Sequence, residues 1–502
     1  MPKIKITEKD LTGVIQPSQI SNTVFVPIQK ASNDTAERAP FALVKSIDML
    51  REYLGLEKTD TAYPRITDDA VESIEDLEGD AGTDEYTVTA VDVNGDMGYK
   101  LCKHLINIGL DVLVTVVDSL ENVDWEALKD KGMYDIRFIT LGAMTDDAGT
   151  GMSKAKSVAE KRGDCTALFN LPLAWSYALN DASSGSGGST TPENPEGDDE
   201  NGSGDNTFGS GDPSSPSPSD KPVIEYGSAT FNLRETAADT PTTIVKKIQN
   251  FFKGAGASEY CACFAPNFYS TNSDLAVKTL DEISTTPIRN VYAISEAEVP
   301  AAFGYLFAYA AAIKNNPEWY AIAGFQRGFI PELSDVCYEL STTEMLSLQA
   351  REASSISDAY ELDTENDNVG TAINPIANIR PAGYIIYGNR TFRYNDAAKK
   401  TTAASFLNVR NMVSGIKKKL WDASRKFTFE PNNEVLWVRF KSFITPYLDQ
   451  LQSGNGIVGY KFERLATPAK ARLKCRLVII PVEAVEDFEI EVTLVDDLAI
   501  VE

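Results

Sequence analysis

Three polar side chains spaced two apart, Asp92, Asn94 and Asp96, open with the spacing of a calcium-binding loop. Such a loop needs glycine at its sixth position, where the chain turns sharply, and a bidentate glutamate at its twelfth. Met97 and Lys103 occupy those positions, so the stretch is expected to be an exposed strand–helix turn without a metal. The same segment fails the GxGxxG pattern of a dinucleotide cradle. The single histidine, His104, lies in the helical run GYKLCKHLINIG and is expected to be a surface or boundary residue rather than a base or ligand. Cys261 and Cys263 are two apart on one face of a strand. Zinc sites use CxxC-type pairs with further ligands, so these two are expected to be packed thiols. No Ser or Cys stands in a nucleophile motif, and no GxxxxGK[ST] occurs. The sequence therefore directs us to no active site, cofactor or metal, and an enzyme is not expected.

Without catalytic residues, the composition sets the remaining limits. The chain has 502 residues, enough for two to four domains, and 43% of them are hydrophobic. Its net charge of -26 disfavours nucleic acid, which needs a basic footprint, and equally an anionic membrane surface. No apolar run reaches the roughly 18–20 residues that span a bilayer, and MPKIKITEKD has no apolar core of a secretory signal. Neither direct nucleic-acid binding nor membrane insertion is expected. Six scattered cysteines read as reduced thiols.

Several elements are legible. Residues 182–222 are rich in Ser, Gly, Pro and acid and nearly free of apolar side chains, so they are expected to form a flexible, exposed insertion. Upstream, TDEYTVTAVDV, GYKLCKHLINIG, DVLVTVVDS, WEALKDKG and YDIRFITLG alternate strand and helix patterns. SKAKSVAEKRG and CTALFNLPLAW continue them. Continuous apolar strands between helices predict an α/β layer with strands buried on both faces. IVKKIQNFFKGAG, EYCACFAP and AAFGYLFAYAAAIKN extend this mixed pattern. Further on, Phe406, Val409, Val413, Ile416, Leu420, Ala423 and Phe427 form one apolar helical stripe. Asn432 or Asn433 can cap the next helix, which contains Pro446 and is expected to bend there. Two strand-like runs follow, RLKCRLVIIPV and EDFEIEVTLV.

These C-terminal segments resemble contractile phage tail sheath proteins. INPIANIRPAGYIIYGNRTF is similar to the stretch leading into that family's "WGaRTL" signature: Tyr387 replaces the usual Trp, while Gly388, Arg390 and Thr391 match. SFLNVRNMVSGIKKKL resembles the following helix, with Val409 and Arg410 aligned and Asn411 where a second Arg is common. FEPNNEVLW resembles "FEPNd..LW" through Glu430, Pro431 and Asn432. Weaker similarity reaches upstream through APFALVKSIDMLREYLG, YDIRFITLG, VAEKRGDCTALFNLP and EWYAIAGFQRGFIP.

The resemblance implies a mixed α/β (α+β), multidomain structural subunit that forms stacked six-fold rings around a tail tube and contracts to drive the tube through a cell envelope. Its implied divisions are an N-terminal arm (1–22), an outer α/β region (23–369), an inner C-terminal domain (370–485) and a C-terminal strand (486–502). Implied partners are further copies, the tail tube protein, baseplate and terminator, in a virion assembled in the host cytoplasm. Subunits of such sheaths exchange terminal strands. Lys3, Ile4, Lys5 and Ile6 are therefore expected to join a sheet containing the acidic strand of Asp487, Glu489 and Glu491. At about 100° per residue, Lys418 and Arg425 fall opposite the apolar stripe with Lys419 and Lys426 beside them, a basic face expected to meet the tube. Arg390, Arg410 and Glu430 are expected to form a buried ion network. Alternative readings are a bacteriocin or injection-system sheath, a soluble α/β enzyme or binding protein, and a secreted adhesin.

Overall fold

Val24–Ile28, Val112–Val114 and Cys261–Ala265 are nearly uninterrupted apolar runs, and each is a strand buried on both faces. The computed structural model describes residues 22–30, 36–55, 93–144, 149–173, 241–270, 277–280, 292–295, 297–349, 372–393, 402–466 and 471–482, with a few isolated positions. The chain begins with β1 (Val24–Gln29), β2 (Ala42–Val44), α1 (Ile47–Leu54), α2 (Val93–Asn107) and β3 (Val112–Val117). It continues through β4 (Phe138–Ile139), α3 (Thr150–Arg162), β5 (Thr166–Phe169), α4 (Pro241–Lys253) and β6 (Cys261–Ala265). Short strands follow: β7 (Phe268–Ser270), β8 (Val277–Leu280), β9 (Tyr292–Ser295) and β10 (Ala297–Val299). Then come α5 (Ala301–Ala312), α6 (Gly324–Arg327), β11 (Leu333–Val336), α7 (Thr342–Leu348), β12 (Asn374–Ile379) and β13 (Gly383–Ile386). Helices α8 (Leu407–Lys426) and α9 (Glu434–Ser453) and strands β14 (Ile457–Leu465) and β15 (Lys474–Pro481) complete the described chain.

Eight strands form one sheet in the order β13-β12-β6-β5-β4-β1-β3-β2. Its inner pairings are parallel, and only the outermost strands, β2 and β13, run antiparallel to their neighbours. The period of two along a strand divides the core into two faces. Val24, Val26 and Ile28 join Ala262 and Phe264 on the face covered by α2 and α5. Phe25 joins Cys261, Cys263 and Ala265 on the face covered by α3 and α4. Cys261 and Cys263 are thus packed thiols of one face, as their spacing predicts. Helix α5 is apolar on every side and buried through Ala310, a helix held inside the molecule.

Helix ends follow their sequence signals. Ser46 accepts from the Met49 amide to start α1, and Gly55 ends it with φ 73°. Ser341 and Glu344 form a reciprocal capping box on α7. WEALKDKG, expected to be a helix, makes only one 3-10 turn at Ala127–Lys129. Asp124 and Asp130 accept from the Ala127 and Gly132 amides and hold local turns in place of a helical ladder. Asn94 and Asp96 lie within helix α2 rather than in the expected strand–helix turn, and Asp92 lies outside the described residues. The expected strand at 83–93 lies outside the described residues except for Val93, which begins α2.

His104 is buried, deeper than the expected surface or boundary position. Its ring packs edge-on to Phe307, with centroids 4.6 Å apart, and Nε2 lies 3.7 Å from Glu332. Helix α5 covers the face of α2 that the local pattern left ambiguous. Among the described residues no helix is long and apolar enough to cross a membrane.

Candidate functional site

Strands β12 and β13, beyond residue 370, belong to the large sheet, and a separate core begins only at Phe406. This C-terminal module is built from α8, α9 and the β14–β15 hairpin. The α8 stripe of Phe406, Val409, Ile416 and Ala423 packs with Trp437, Phe440, Ile444, Leu448 and Leu451, while Val413, Leu420 and Phe427 line its margin. Asn433 provides the cap of α9, accepting from the Leu436 amide at 2.9 Å. The helix continues through Pro446 to Ser453. Trp319, from the segment after α5, closes this core and donates to the Gly454 carbonyl at 2.8 Å.

The opposite face of α8 is polar, yet its first three turns are buried against the α/β layer. Asn408, Arg410, Asn411, Ser414 and Lys418 are all less than a tenth exposed. Asn411 accepts from Thr166 Oγ1 at 3.1 Å and donates to the Tyr305 hydroxyl at 2.8 Å. Asn408 donates to the Trp319 carbonyl at 3.1 Å and accepts from Asn389 at 2.7 Å. Arg410 pairs with Glu259 at 2.8 Å and lies 4.4 Å over the Tyr260 ring, and Glu259 also pairs with Arg393. Lys417 donates to the Tyr260 hydroxyl at 3.1 Å. Arg137, fully buried beside this face, pairs with Glu318 at 3.2 Å.

This arrangement corrects the expected basic face. Lys418 does not point to solvent: it is buried and ion-paired with Asp135 of the α/β layer. Lys419 is half-buried, its ammonium 5.7 Å from the Tyr447 ring, and burial pushes its pKa down against the pull of Glu318 and Asp422. Arg425 and Lys426, about two turns further on, are exposed, with Lys426 4.6 Å over Phe443. The face is split because α8 outruns the layer that covers its first half.

The expected ion network does not form. Glu430 sits on the surface beside Arg439 at 3.6 Å, whereas Arg410 is held by Glu259 and Arg390 lies 4.8 Å over Phe406. Other motif residues have clear structural work. A Cβ on Gly388 would meet Asn374 Oδ1 at 2.8 Å, so that position needs glycine for close approach. Asn374 uses the same oxygen to accept from the Arg390 amide at 2.7 Å. Thr391 is buried and donates to the Ala404 carbonyl at 2.9 Å. Pro431 and Asn432 are exposed in the α8–α9 turn, where Asn432 accepts from Arg464 at 3.2 Å.

Sequence reasoning did not find Asp135, Glu259, Tyr260 or Trp319, which supply the α/β side of this joint. The placement of Glu259 and Tyr260 directly ahead of the apolar run CACFA was the available signal. The module's outer surface is also distinctive. Nine of the fourteen exposed large apolar side chains among the described residues lie between Trp421 and Val482. They include Val435 and Val438 on α9 and Val458, Val478 and Ile480 on the hairpin. Residues 402–482 carry 14 Lys and Arg against 5 Asp and Glu, in a chain of net charge -26. Among the described residues the hairpin forms a two-stranded sheet of its own. Lys3, Ile4, Lys5, Ile6, Asp487, Glu489 and Glu491, and the 182–222 insertion, lie outside the described residues.

Comparison with solved structures places this architecture. The sheath complex of an extracellular contractile injection system, PVC, in its contracted state matches with a TM-score of 0.53 at 12% identity, over 99% of this chain and 98% of that one. The chain has the contractile sheath fold. A chain of the anti-feeding prophage (AFP) baseplate gives 0.52 at 12% identity over 98% and 99%, and the contracted AFP helical sheath gives 0.50 at 12% identity over 98% of each chain. The tail sheath protein of Vibrio phage KVP40 is 27% identical over 143 residues. That match covers 28% of this chain and 18% of the relative, so less than a fifth of the relative's length is aligned. No family model matches the chain.

Proposed function

We propose that this protein is the sheath subunit of a contractile phage tail, polymerising as stacked hexameric rings around a tail tube and shortening to drive the tube through a host envelope. The observation that carries this reading is the sheath fold running along 98–99% of the chain, together with phage tail-sheath similarity in sequence. The role is structural, with no cofactor and no catalysis, and the work of contraction comes from two packings of the same subunits. Its partners are further copies, the tube protein, the baseplate and the terminator, in a virion assembled in the host cytoplasm.

The surface of the C-terminal module supports a division of labour. The β14–β15 hairpin has edges that can accept terminal strands from neighbouring copies. Residues 483–502 carry eight carboxylates and no cation, and pair with Lys3 and Lys5 of another copy's N-terminal arm across strands. Arg425 and Lys426, exposed at the far end of α8, are the cations offered to the tube; Lys418 is withdrawn from that role by its burial. The inner domain is proposed to be the module from Phe406 onward rather than from residue 370, because β12 and β13 belong to the large sheet, and the 182–222 insertion is proposed to lie on the outer surface. Co-expression with the cognate tube subunit tests the reading: tubes covered by a regular sheath are expected, and bare tubes beside soluble subunit would contradict it.

A further inference from the structure

The joint between the C-terminal module and the α/β layer is built largely from polar side chains. Apolar surfaces slide past each other at small cost, because their attraction has no direction. Hydrogen bonds between buried side chains hold at one geometry only, since a shift of a few tenths of an ångström or a tilt weakens them steeply. Asn408 and Asn411 lie three residues apart on the same face of α8 and reach four separate segments of the layer. Asn408 ties to Asn389 beyond β13 and to Trp319 beyond α5. Asn411 ties to Thr166 in β5 and Tyr305 in α5, and its carbonyl accepts from Arg137 at 3.5 Å.

We propose that Asn408 and Asn411 are positioning residues that fix the angle at which the C-terminal module leaves the α/β layer, and that this angle sets the diameter of the assembled cylinder. The second half of the proposal rests on the sheath reading given above. The flanking pairs Arg410–Glu259 and Lys418–Asp135 supply attraction, which falls off gently with distance, whereas the two asparagines supply register. Leverage makes register matter. The 20 residues of α8 span about 30 Å, so a tilt of about 10° at the buried end moves Arg425 and Lys426 by about 5 Å.

The variant Thr166→Val, Tyr305→Phe, Asn411→Leu removes the polar set together, so that no side chain of the three is left without its partner. In a Cys475→Ser background, spin labels at Met49→Cys and Ser424→Cys report the angle between layer and module in the free subunit. The unsubstituted chain should give one narrow distance. The triple variant should keep a melting temperature close to that chain's, lose the single narrow distance, and assemble into cylinders of mixed or altered diameter. An unchanged distance distribution and unchanged diameter would overturn the proposal. Should the triple variant not fold, Tyr305→Phe alone removes one oxygen and should already broaden the distance, and no broadening would overturn it equally. If the unsubstituted chain forms no cylinders, the sheath reading fails while the distance measurement still decides the role of Asn411 and, with Asn408→Leu and Asn389→Leu substituted together in the same labelled background, that of Asn408.

Discussion

Glu259→Gln tests the polar joint most sharply. The Glu259 carboxylate holds Arg410, whose side chain is 7% exposed, while the second partner, Arg393, is 47% exposed. Removing the negative charge leaves the Arg410 guanidinium buried over Tyr260 without its counter-ion. Breaking a buried pair from one side costs about 3–5 kcal/mol. Glu259 is itself 22% exposed, and the amide oxygen of glutamine still accepts one bond from Arg410, so the loss falls to about 2 kcal/mol. Arg393, half in water, adds little. Urea unfolding followed by tryptophan fluorescence reads this as a lower midpoint at unchanged slope. Adding Arg410→Met should return part of the loss, because an apolar side chain of similar length at position 410 removes the stranded charge. A loss below about 0.5 kcal/mol, the range of ordinary surface substitutions, would refute the reasoning.

Other outcomes follow from the same geometry. Lys418→Glu places a carboxylate beside Asp135 at a buried position and should cost about 3 kcal/mol in unfolding free energy. Arg425→Glu should leave stability within about 0.5 kcal/mol and instead weaken tube co-assembly at low salt. Cys475 is the one exposed thiol of six, so a thiol reagent at pH 8 should titrate one group in the folded chain and six after denaturation. Burial pushes Cys165 and Tyr309 up to about 12 from ordinary values of 9.0 and 10.0. Both keep their protons longer in the folded state, so their stabilisation is complete below pH 9.0 and is lost as pH rises toward 12. Stability measured along that range should fall by up to about 1.4 kcal/mol per pH unit for each group. A flat profile would contradict their burial.

Much of the α/β layer was legible because its strands are short apolar runs between turn signals, and burial on both faces leaves no alternation to confuse with another pattern. The apolar stripe of α8 was equally plain. Its opposite face was misread for a physical reason: helical periodicity ranks residues by polarity, and a polar face reads as solvent whether water or protein covers it. Lys418 is charge-matched by Asp135, 283 residues away in sequence, and Asn411 is hydrogen-bonded by Thr166, 245 away. No local window contains both halves of such a pair. Glu430 was assigned to a buried network because it shares a motif with buried residues, but the α8–α9 turn that carries it faces solvent. His104 was placed too near the surface in the same way, since the covering residue Phe307 belongs to a distant helix. Strand β14 escaped notice because YKFER alternates weakly and gains its definition from pairing with β15.

Electron microscopy of the purified, full-length protein, concentrated and at low salt, tests the central claim most directly. The account predicts long hollow cylinders with transverse striations and six-fold end views, their walls fitted by this fold with the C-terminal module on the inside. Monodisperse monomers under every condition, with and without the tube protein, would contradict it.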